Sequence, residues 1–333
     1  MPSTIVETRF APHWLHVWAV LTVGVTVVLL ALGAMVTTFQ VGMADPIWPT
    51  YPWHLALIDW HEPKPGFIIE HSHRLAAYIV FGCALVLTIG LFTSVQQMWL
   101  KWLGAAALIG VIVQGLFGGY RVVLHAWLGT NLAIIHGCFA QVVFSLLVIL
   151  AVVTSTRYAR AALPLEEAPR FRFWSLVLTA LVFLQLVWGA LLRHTNGALP
   201  QRMHLLTAFA VVAVFVWFAH TVGTSPSARR ILGRTIFVLS VLLVFQVSLG
   251  VESWVGKFNG IVPPELQKPT VGQAATRVAH VLVGSFVLAA SVALTLLAHR
   301  SVGYDAERSA SLRIAANPEV GDRNMVQQLE GSV

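Results

Sequence analysis

The chain carries very little charge for its length. Of its 333 residues only 11% are charged and 57% are hydrophobic, whereas a soluble domain carries about 25% charged residues. This balance excludes a disordered chain, a nucleic-acid-binding domain and almost any water-soluble enzyme. Cysteine is also scarce: Cys83 and Cys138 both lie in apolar runs, which argues against a disulfide framework or a cysteine zinc site. The class that is left is an all-α, polytopic membrane protein.

Charge-free stretches locate the membrane-spanning helices, because one span needs about 20 apolar residues. Eight such stretches occur along the chain. They predict helices, first to eighth, at about 14–37, 69–94, 99–120, 129–153, 172–193, 202–222, 232–251 and 275–299.

The distribution of Lys and Arg favours one orientation of these helices. With the N-terminus in the cytoplasm, more of these residues fall inside than outside, and the loops after the fourth and sixth helices carry most of the excess. We therefore expect both termini on the cytoplasmic side of a bacterial-type inner membrane. The polar segment 301–333 is expected to be a disordered cytoplasmic tail.

An internal repeat divides the chain into two halves. Helices three, five and seven end in a pattern of Gln and Gly, and each even-numbered helix carries one histidine one to three turns in from the outer face. The pattern consists of Gln114 with Gly115, Gly118 and Gly119, then Gln185 with Gly189, then Gln246 with Gly250. It predicts two pseudo-symmetric four-helix bundles, 1–160 and 161–300, each with its own internal site.

Four of the 13 histidines occupy matching positions on the even-numbered helices, although membrane spans generally avoid polar side chains. Each is followed four residues later, on the same helical face, by a small residue. The pairs are His73 with Ala77, His136 with Ala140, His204 with Ala208, and His280 with Gly284. Imidazole can ligate haem iron, and the small residue leaves room for the porphyrin edge. Two such pairs of helices predict two bis-histidine haem sites, although one histidine alone, or small residues alone, would indicate only packing.

One carboxylate accompanies these histidines. Glu70 precedes His73 by one helical turn, so the two share a face, and the carboxylate could deliver or accept a proton beside a haem edge. The alternative is an interfacial glutamate paired with Arg74 or Arg121. His71 projects away from His73 and is expected to face solvent or the membrane interface.

Arginines near the outer ends of the helices fit the same hypothesis. Haem propionates are anionic, and arginine pairs with carboxylates through two hydrogen bonds. The candidates are Arg74 beside His73, Arg121 at the end of the third helix, Arg202 before His204, and Arg277 before His280. Simple anchoring at the membrane interface is the alternative for each of them.

These residues resemble the motifs of the haem A synthase family. Glu70-x-x-His73-Arg74 matches the Glu-x-x-His-Arg motif of that family, and the run from Gly42 to Pro49 is similar to its Gly-Met-x-x-Pro-Asp-Trp-Pro run with Asp and Pro rearranged. The paired halves with one histidine on each even-numbered helix also match. The segment 260–264 weakly resembles the last outer loop of the family. The resemblance covers about residues 14–299.

The resemblance implies an oxidoreductase that converts a methyl group of haem O to a formyl group, giving haem A for terminal oxidases. It implies that His73 and His136 hold the substrate haem, that His204 and His280 hold a resident haem b, and that Glu70 is the catalytic carboxylate. The residues agree with this division, since only the first pair has a carboxylate at helical spacing. A haem O synthase as supplier and oxidase assembly factors as receivers are expected on the same basis.

The chain departs from the family at the second pair. Leu205 and Val281 stand where the family usually has arginine, so Arg202 or Arg277 would have to serve the propionates instead. The loop 40–66 lacks the cysteine pair that some members carry. The electron donor (a quinol is one candidate) cannot be identified from the sequence, and small-residue faces would allow a homo-oligomer.

Two other functions are compatible with the same composition and histidines. A b-type electron-transfer cytochrome would use all four histidines without modifying haem, but it would need no carboxylate beside one pair. A transporter with unrelated histidines would bind no haem, and the chain shows neither a nucleotide-binding motif nor an acidic relay through its spans.

Overall fold

The computed structural model describes residues 11–44, 64–161, 168–258 and 268–300. Within these ranges the chain forms ten helices and no strand. Eight of them are long and apolar enough to cross a membrane. They are α1 (His13–Thr38), α2 (Pro65–Ser94), α3 (Met98–Val123), α5 (Asn131–Val153), α7 (Ala168–Thr195), α8 (Ala198–Thr224), α9 (Pro226–Phe258) and α10 (Val271–His299). The short helices are α4 (His125–Leu128) and α6 (Thr156–Arg160). The chain is thus an all-α integral membrane protein, as predicted.

Each predicted span corresponds to one long helix, and the differences lie at the ends. Helices α2, α7 and α9 begin earlier than predicted, with Pro65, Pro169 and Pro226 in their first turns, where the missing N–H of proline breaks no helical hydrogen bond. The predicted end of α9 was set by the charged residue Glu252, which interrupts the apolar run. The helix itself continues to Phe258, because a glutamate is compatible with helical structure. Helix α5 begins later than predicted because Gly129, with a φ of 53°, separates it from α4.

The long helices pack in two groups of four. In the first group α1 contacts α2, α2 contacts α3, α3 contacts α5, and α5 contacts α1. In the second group α7, α8, α9 and α10 contact one another in the same cyclic order. We call these groups the first bundle and the second bundle. That a pseudo-symmetry axis relates them stays a prediction.

The two bundles lie side by side, with α1 and α5 packed on α10 and α5 also packed on α7. Phe144 and Val148 of α5 reach into the apolar core of the second bundle. Within the first bundle small residues bring helices together: Thr88 of α2 donates a hydrogen bond to the carbonyl of Gly104 on α3 at 3.1 Å, a close approach typical of membrane helices.

The four histidines lie at one end of the bundles. His136 is the sixth residue of α5 and His280 the tenth residue of α10, which corresponds to a depth of about 8–14 Å along the helices at 1.5 Å per residue. The run from Asp45 to Pro49, Gly260–Pro264 and the predicted tail 301–333 lie outside the described residues.

Candidate functional site

Each of the four histidines packs against a glycine of the preceding long helix. A Cβ atom at Gly33 of α1 would lie 2.9 Å from Cε1 of His73 on α2. The same distance is 3.3 Å for Gly118 and His136, 3.1 Å for Gly189 and His204, and 3.0 Å for Gly250 and His280. A side chain at any of these positions would press on the imidazole ring, most of all at Gly33, so the glycines allow the rings to lie close to the neighbouring helix. The sequence pattern had marked three of these glycines but had not connected them with the histidines, and it had missed Gly33.

Backbone carbonyls orient two of these rings. Nδ1 of His73 lies 3.2 Å from the carbonyl oxygen of Leu29, and Nδ1 of His204 lies 3.2 Å from that of Gln185. Both carbonyls belong to the residue four positions before the contacting glycine. An Nδ1–H that donates to a carbonyl fixes the tautomer in which Nε2 carries the lone pair for a metal.

Three glutamine side chains contact the rings of three of these histidines. The amide nitrogen of Gln114 lies 3.2 Å from both ring nitrogens of His136, and that of Gln185 lies 3.3 Å from Nε2 of His204. Gln246 approaches Nε2 of His280 at 3.5 Å. The Oε1 atoms of all three glutamines are buried without a hydrogen-bond partner among the described residues. Buried polar atoms are rarely left unpaired, so these oxygens are available to a hydrogen-bond donor such as a water molecule.

The histidines form two pairs, one in each bundle. The ring centroids of His204 and His280 are 6.3 Å apart, and their planes are inclined by 76°. This separation leaves room for one metal atom bound by both rings, since imidazole nitrogens bind first-row metals at about 2.0–2.1 Å. In the first bundle, the pairing of His73 on α2 with His136 on α5 stays a prediction.

Glu70 is buried beside the first pair, with 4% of its surface exposed. Its Oε1 accepts a hydrogen bond from Nη2 of Arg74 at 2.9 Å, so the ion pair considered from the sequence is present. Its charge also interacts with that of Arg121. The other carboxylate in the described part of the chain, Glu252, is exposed and accepts a hydrogen bond from Thr276. Within the described ranges, therefore, a buried carboxylate accompanies the first pair of histidines and none accompanies the second.

The prediction for His71 was wrong. Its ring is fully buried and stacks on Phe67, four residues earlier, with centroids 5.3 Å apart and planes inclined by 15°. The helical wheel of α2 correctly separates His71 from His73. It does not reveal which other parts of the protein cover the opposite face.

The predicted arginines have different surroundings. Arg121 and Arg277 are half-buried, and Arg202 is exposed. Arg121 packs closely on Gly42: a Cβ atom added to Gly42 would lie 2.5 Å from Nη2 of Arg121. The sequence reasoning missed Arg193 of α7, which is half-buried and donates hydrogen bonds to the carbonyl of Ala34 and, at 2.9 Å, to Oγ1 of Thr38. The sequence feature that could have revealed Arg193 is its position four residues after Gly189, on the same helical face.

The small residues that follow the histidines are half-buried or buried. Gly284 is closely packed, because a Cβ there would lie 3.2 Å from Nε2 of Gln246 and 3.3 Å from Leu186. Ala77, Ala140 and Ala208 are half-buried. Their role beside a porphyrin edge stays a prediction.

These residues fit haem as the bound group. Each bundle offers two imidazoles from two of its helices and glycine surfaces that keep bulk away from the rings. No group of three or more His, Cys, Asp or Glu side chains suited to a bare metal ion occurs among the described residues. Two axial histidines are what a bis-histidine haem requires.

The chain is similar to known proteins over much of its length. A family model described as "Cytochrome oxidase assembly protein" matches residues 52–202, a range that contains Glu70, His73 and His136 and ends just before His204. The chain is similar to three proteins named "Heme A synthase". It is 27% identical over 265 residues to that of Lysinibacillus sphaericus (strain C3-41), covering 72% of this chain and 84% of the relative.

The other two relatives match shorter parts. The protein of Alkalihalophilus pseudofirmus is 29% identical over 190 residues, covering 56% of this chain and 61% of the relative. That of Geobacillus kaustophilus (strain HTA426) is 27% identical over 174 residues, covering 50% and 52%. The chain thus spans between half and two thirds of the length of these two relatives.

The glycine contacts give a first prediction. In Gly33→Ala the new Cβ would press on His73, and overpacking of this kind costs about 1–3 kcal/mol. We expect the affinity of the first histidine pair for its haem to fall about 5- to 100-fold. The measurement is the amount of each type of haem that is extracted per purified protein. Gly24→Ala on the same helix is the control, since nothing lies within 4 Å of that position. Equal haem content in both variants would show that the contact with Gly33 does not position His73.

Proposed function

We propose that the chain is a membrane oxidoreductase of the haem A synthase family that converts a methyl group of haem O to a formyl group, giving haem A for terminal oxidases. The observation that carries this proposal is the asymmetry of the two histidine pairs. Both pairs have the same glycine contacts, but among the residues that the structure describes only the pair His73 and His136 has a buried carboxylate, Glu70, one helical turn from His73.

We assign the substrate haem O, and the product haem A, to His73 and His136 in the first half, residues 1–160. His204 and His280 in the second half, residues 161–300, would hold a resident haem b. When bound, that haem supplies one-electron transfer. The 6.3 Å between the rings of His204 and His280 supports ligation by both.

The protein's own groups have distinct roles in this proposal. Glu70 moves a proton at the reacting edge of the substrate, and Arg74 holds its Oε1 in place. The Leu29 carbonyl keeps the proton of His73 on Nδ1, which directs Nε2 at the substrate iron. Ala77, Ala140, Ala208 and Gly284 make room for the rings, and Arg74, Arg121, Arg202 and Arg277 provide positive charge for propionates.

The setting follows from the helices and the charge distribution. We place the chain in a bacterial cytoplasmic membrane with both termini inside, because basic residues are more frequent in the loops on that side. A haem O synthase would deliver the substrate, oxidase assembly factors would accept the product, and a quinol is a candidate electron donor. Small-residue helix faces would permit a homo-oligomer.

The alternative function is that of an electron-transfer cytochrome b, which would use the same two histidine pairs without modifying haem. The two functions are distinguished by expressing the chain in cells that make haem O but no haem A. We expect haem A, or a hydroxylated haem, to appear in the membranes. Membranes that contain the protein with bound haem b, but no oxidised haem O, would support the cytochrome and contradict the synthase.

A further inference from the structure

Three half-buried arginines lie one helical turn beyond the histidines, at the same end of both bundles. Arg121 follows Gly118 by three residues on α3, Arg193 follows Gly189 by four on α7, and Arg277 precedes His280 by three on α10. Residues three or four apart share a helical face, with an axial distance of about 5 Å. The three side chains, which we call the arginine layer, therefore belong to the faces that meet the histidines.

The arginine layer joins the two bundles. From α7 in the second bundle, Arg193 donates to the carbonyl of Ala34 and to Thr38 on α1 in the first bundle. Ala34 directly follows Gly33, on which His73 packs. The charge of Arg193 also interacts with those of Arg121 and Arg277 and with His280. The guanidinium of Arg193 thus joins α7 of the second bundle to the part of α1 that contacts His73.

Much of the hydrogen-bonding capacity of the arginine layer is unused. Both hydrogen bonds of Arg193 come from Nη2, although a guanidinium has five N–H donors. Nε of Arg277 is buried without a partner in the described part of the chain, and its Nη2 reaches the carbonyl of Gly256 only at 3.5 Å. Arg121 donates no hydrogen bond among the described residues, and Glu70, with which its charge interacts, is held by Arg74.

Buried cations require anionic partners. We propose that Arg193, with Arg121 and Arg277, forms a carboxylate site shared by the two histidine pairs, which binds propionates of the haem in each bundle. This inference rests on the proposed function and extends it, since Arg193 has no role there. Guanidinium groups bind carboxylates through paired hydrogen bonds. A lipid phosphate is the other source of such an anion, but Arg193 is half-buried and reaches the carbonyl of Ala34 and the hydroxyl of Thr38 on a helix of the other bundle.

The test compares haem b with its dimethyl ester, in which both propionates are uncharged. The full chain is purified from cells deprived of haem precursor, and each compound is titrated while the Soret band is recorded. We expect the unchanged chain to bind haem b about tenfold or more tightly than the ester. In Arg193→Gln this preference should shrink to within about threefold, and Arg193→Lys should be intermediate because it keeps the charge but loses the paired geometry.

Arg230→Gln is the matched control, because it removes the same charge from an exposed position at the opposite end of α9 from Gly250. It should keep the full preference for the acid. If Arg193→Gln weakens both compounds by the same factor, Arg193 only supports the fold and the proposal is wrong.

The remaining outcomes are equally decisive. If Arg193→Gln keeps the preference but retains less phosphatidylglycerol than the unchanged chain, the anion is a lipid and the proposal is overturned. Binding of haem b that depends on His204 and His280, with no preference for the acid, would overturn the arginine site while leaving the proposed function intact. If the unchanged chain binds neither compound, both proposals fail.

Discussion

Glu70→Gln is expected to reduce haem A formation at least about 100-fold while leaving the resident haem b in place, because a positioned general acid or base contributes about 10²–10⁴-fold. The amide keeps the size of the side chain and its hydrogen bond to Arg74, but it cannot accept or release a proton. The measurement is the ratio of haem A to haem O in membranes, together with the haem b content of the purified variant.

Two further variants make this result specific. Glu70→Asp should recover part of the activity, because it restores a carboxylate that is one methylene shorter. Glu252→Gln, which changes the exposed carboxylate of the second bundle, should retain the activity of the unchanged chain. Undiminished haem A formation by Glu70→Gln would remove Glu70 from the catalytic site.

His204→Ala and His280→Ala are each expected to lower the haem b content of the purified protein at least about tenfold. Loss of a residue that merely supports a metal ligand costs about 10- to 100-fold in affinity, and loss of the ligand itself should cost no less. His73→Ala and His136→Ala should instead keep haem b and lose the bound substrate or product haem. Extraction and chromatography of the haems from each variant measure both effects.

His220→Ala is the control for these variants, because His220 is exposed on the same helix as His204. It should keep both haems. Retention of haem b by both His204→Ala and His280→Ala would mean that the second pair is not its ligand set, and equal loss of both haems from all four variants would indicate unfolding instead of two separate sites.

The sequence predicted the membrane-spanning helices well because they depend on a local pattern. An apolar run of fixed length indicates a span whatever its neighbours are, and the position of His73 or His280 within its span gives a depth directly. The predicted helix ends were less accurate, because α2 and α9 begin at Pro65 and Pro226, several residues before their apolar runs begin.

Contacts between helices were not predictable in the same way. Gly33 lies in the same relation to its histidine as Gly189 and Gly250 do, but Leu29 stands where the other helices have glutamine, which hides the fourth copy of the pattern. Arg193 was missed because its contacts are with α1, far away in the sequence. The burial of His71 likewise depends on what packs against α2.

The most direct test of the central claim, that the two histidine pairs are two haem sites with different roles, is acidic-acetone extraction of the detergent-purified protein produced beside a haem O supplier. Chromatography and mass identify the haems. The account predicts haem b together with haem O, a hydroxylated haem or haem A in the same preparation. Haem b alone, with haem O available in the cells, would contradict a substrate site at His73 and His136, and absence of any haem would contradict both sites.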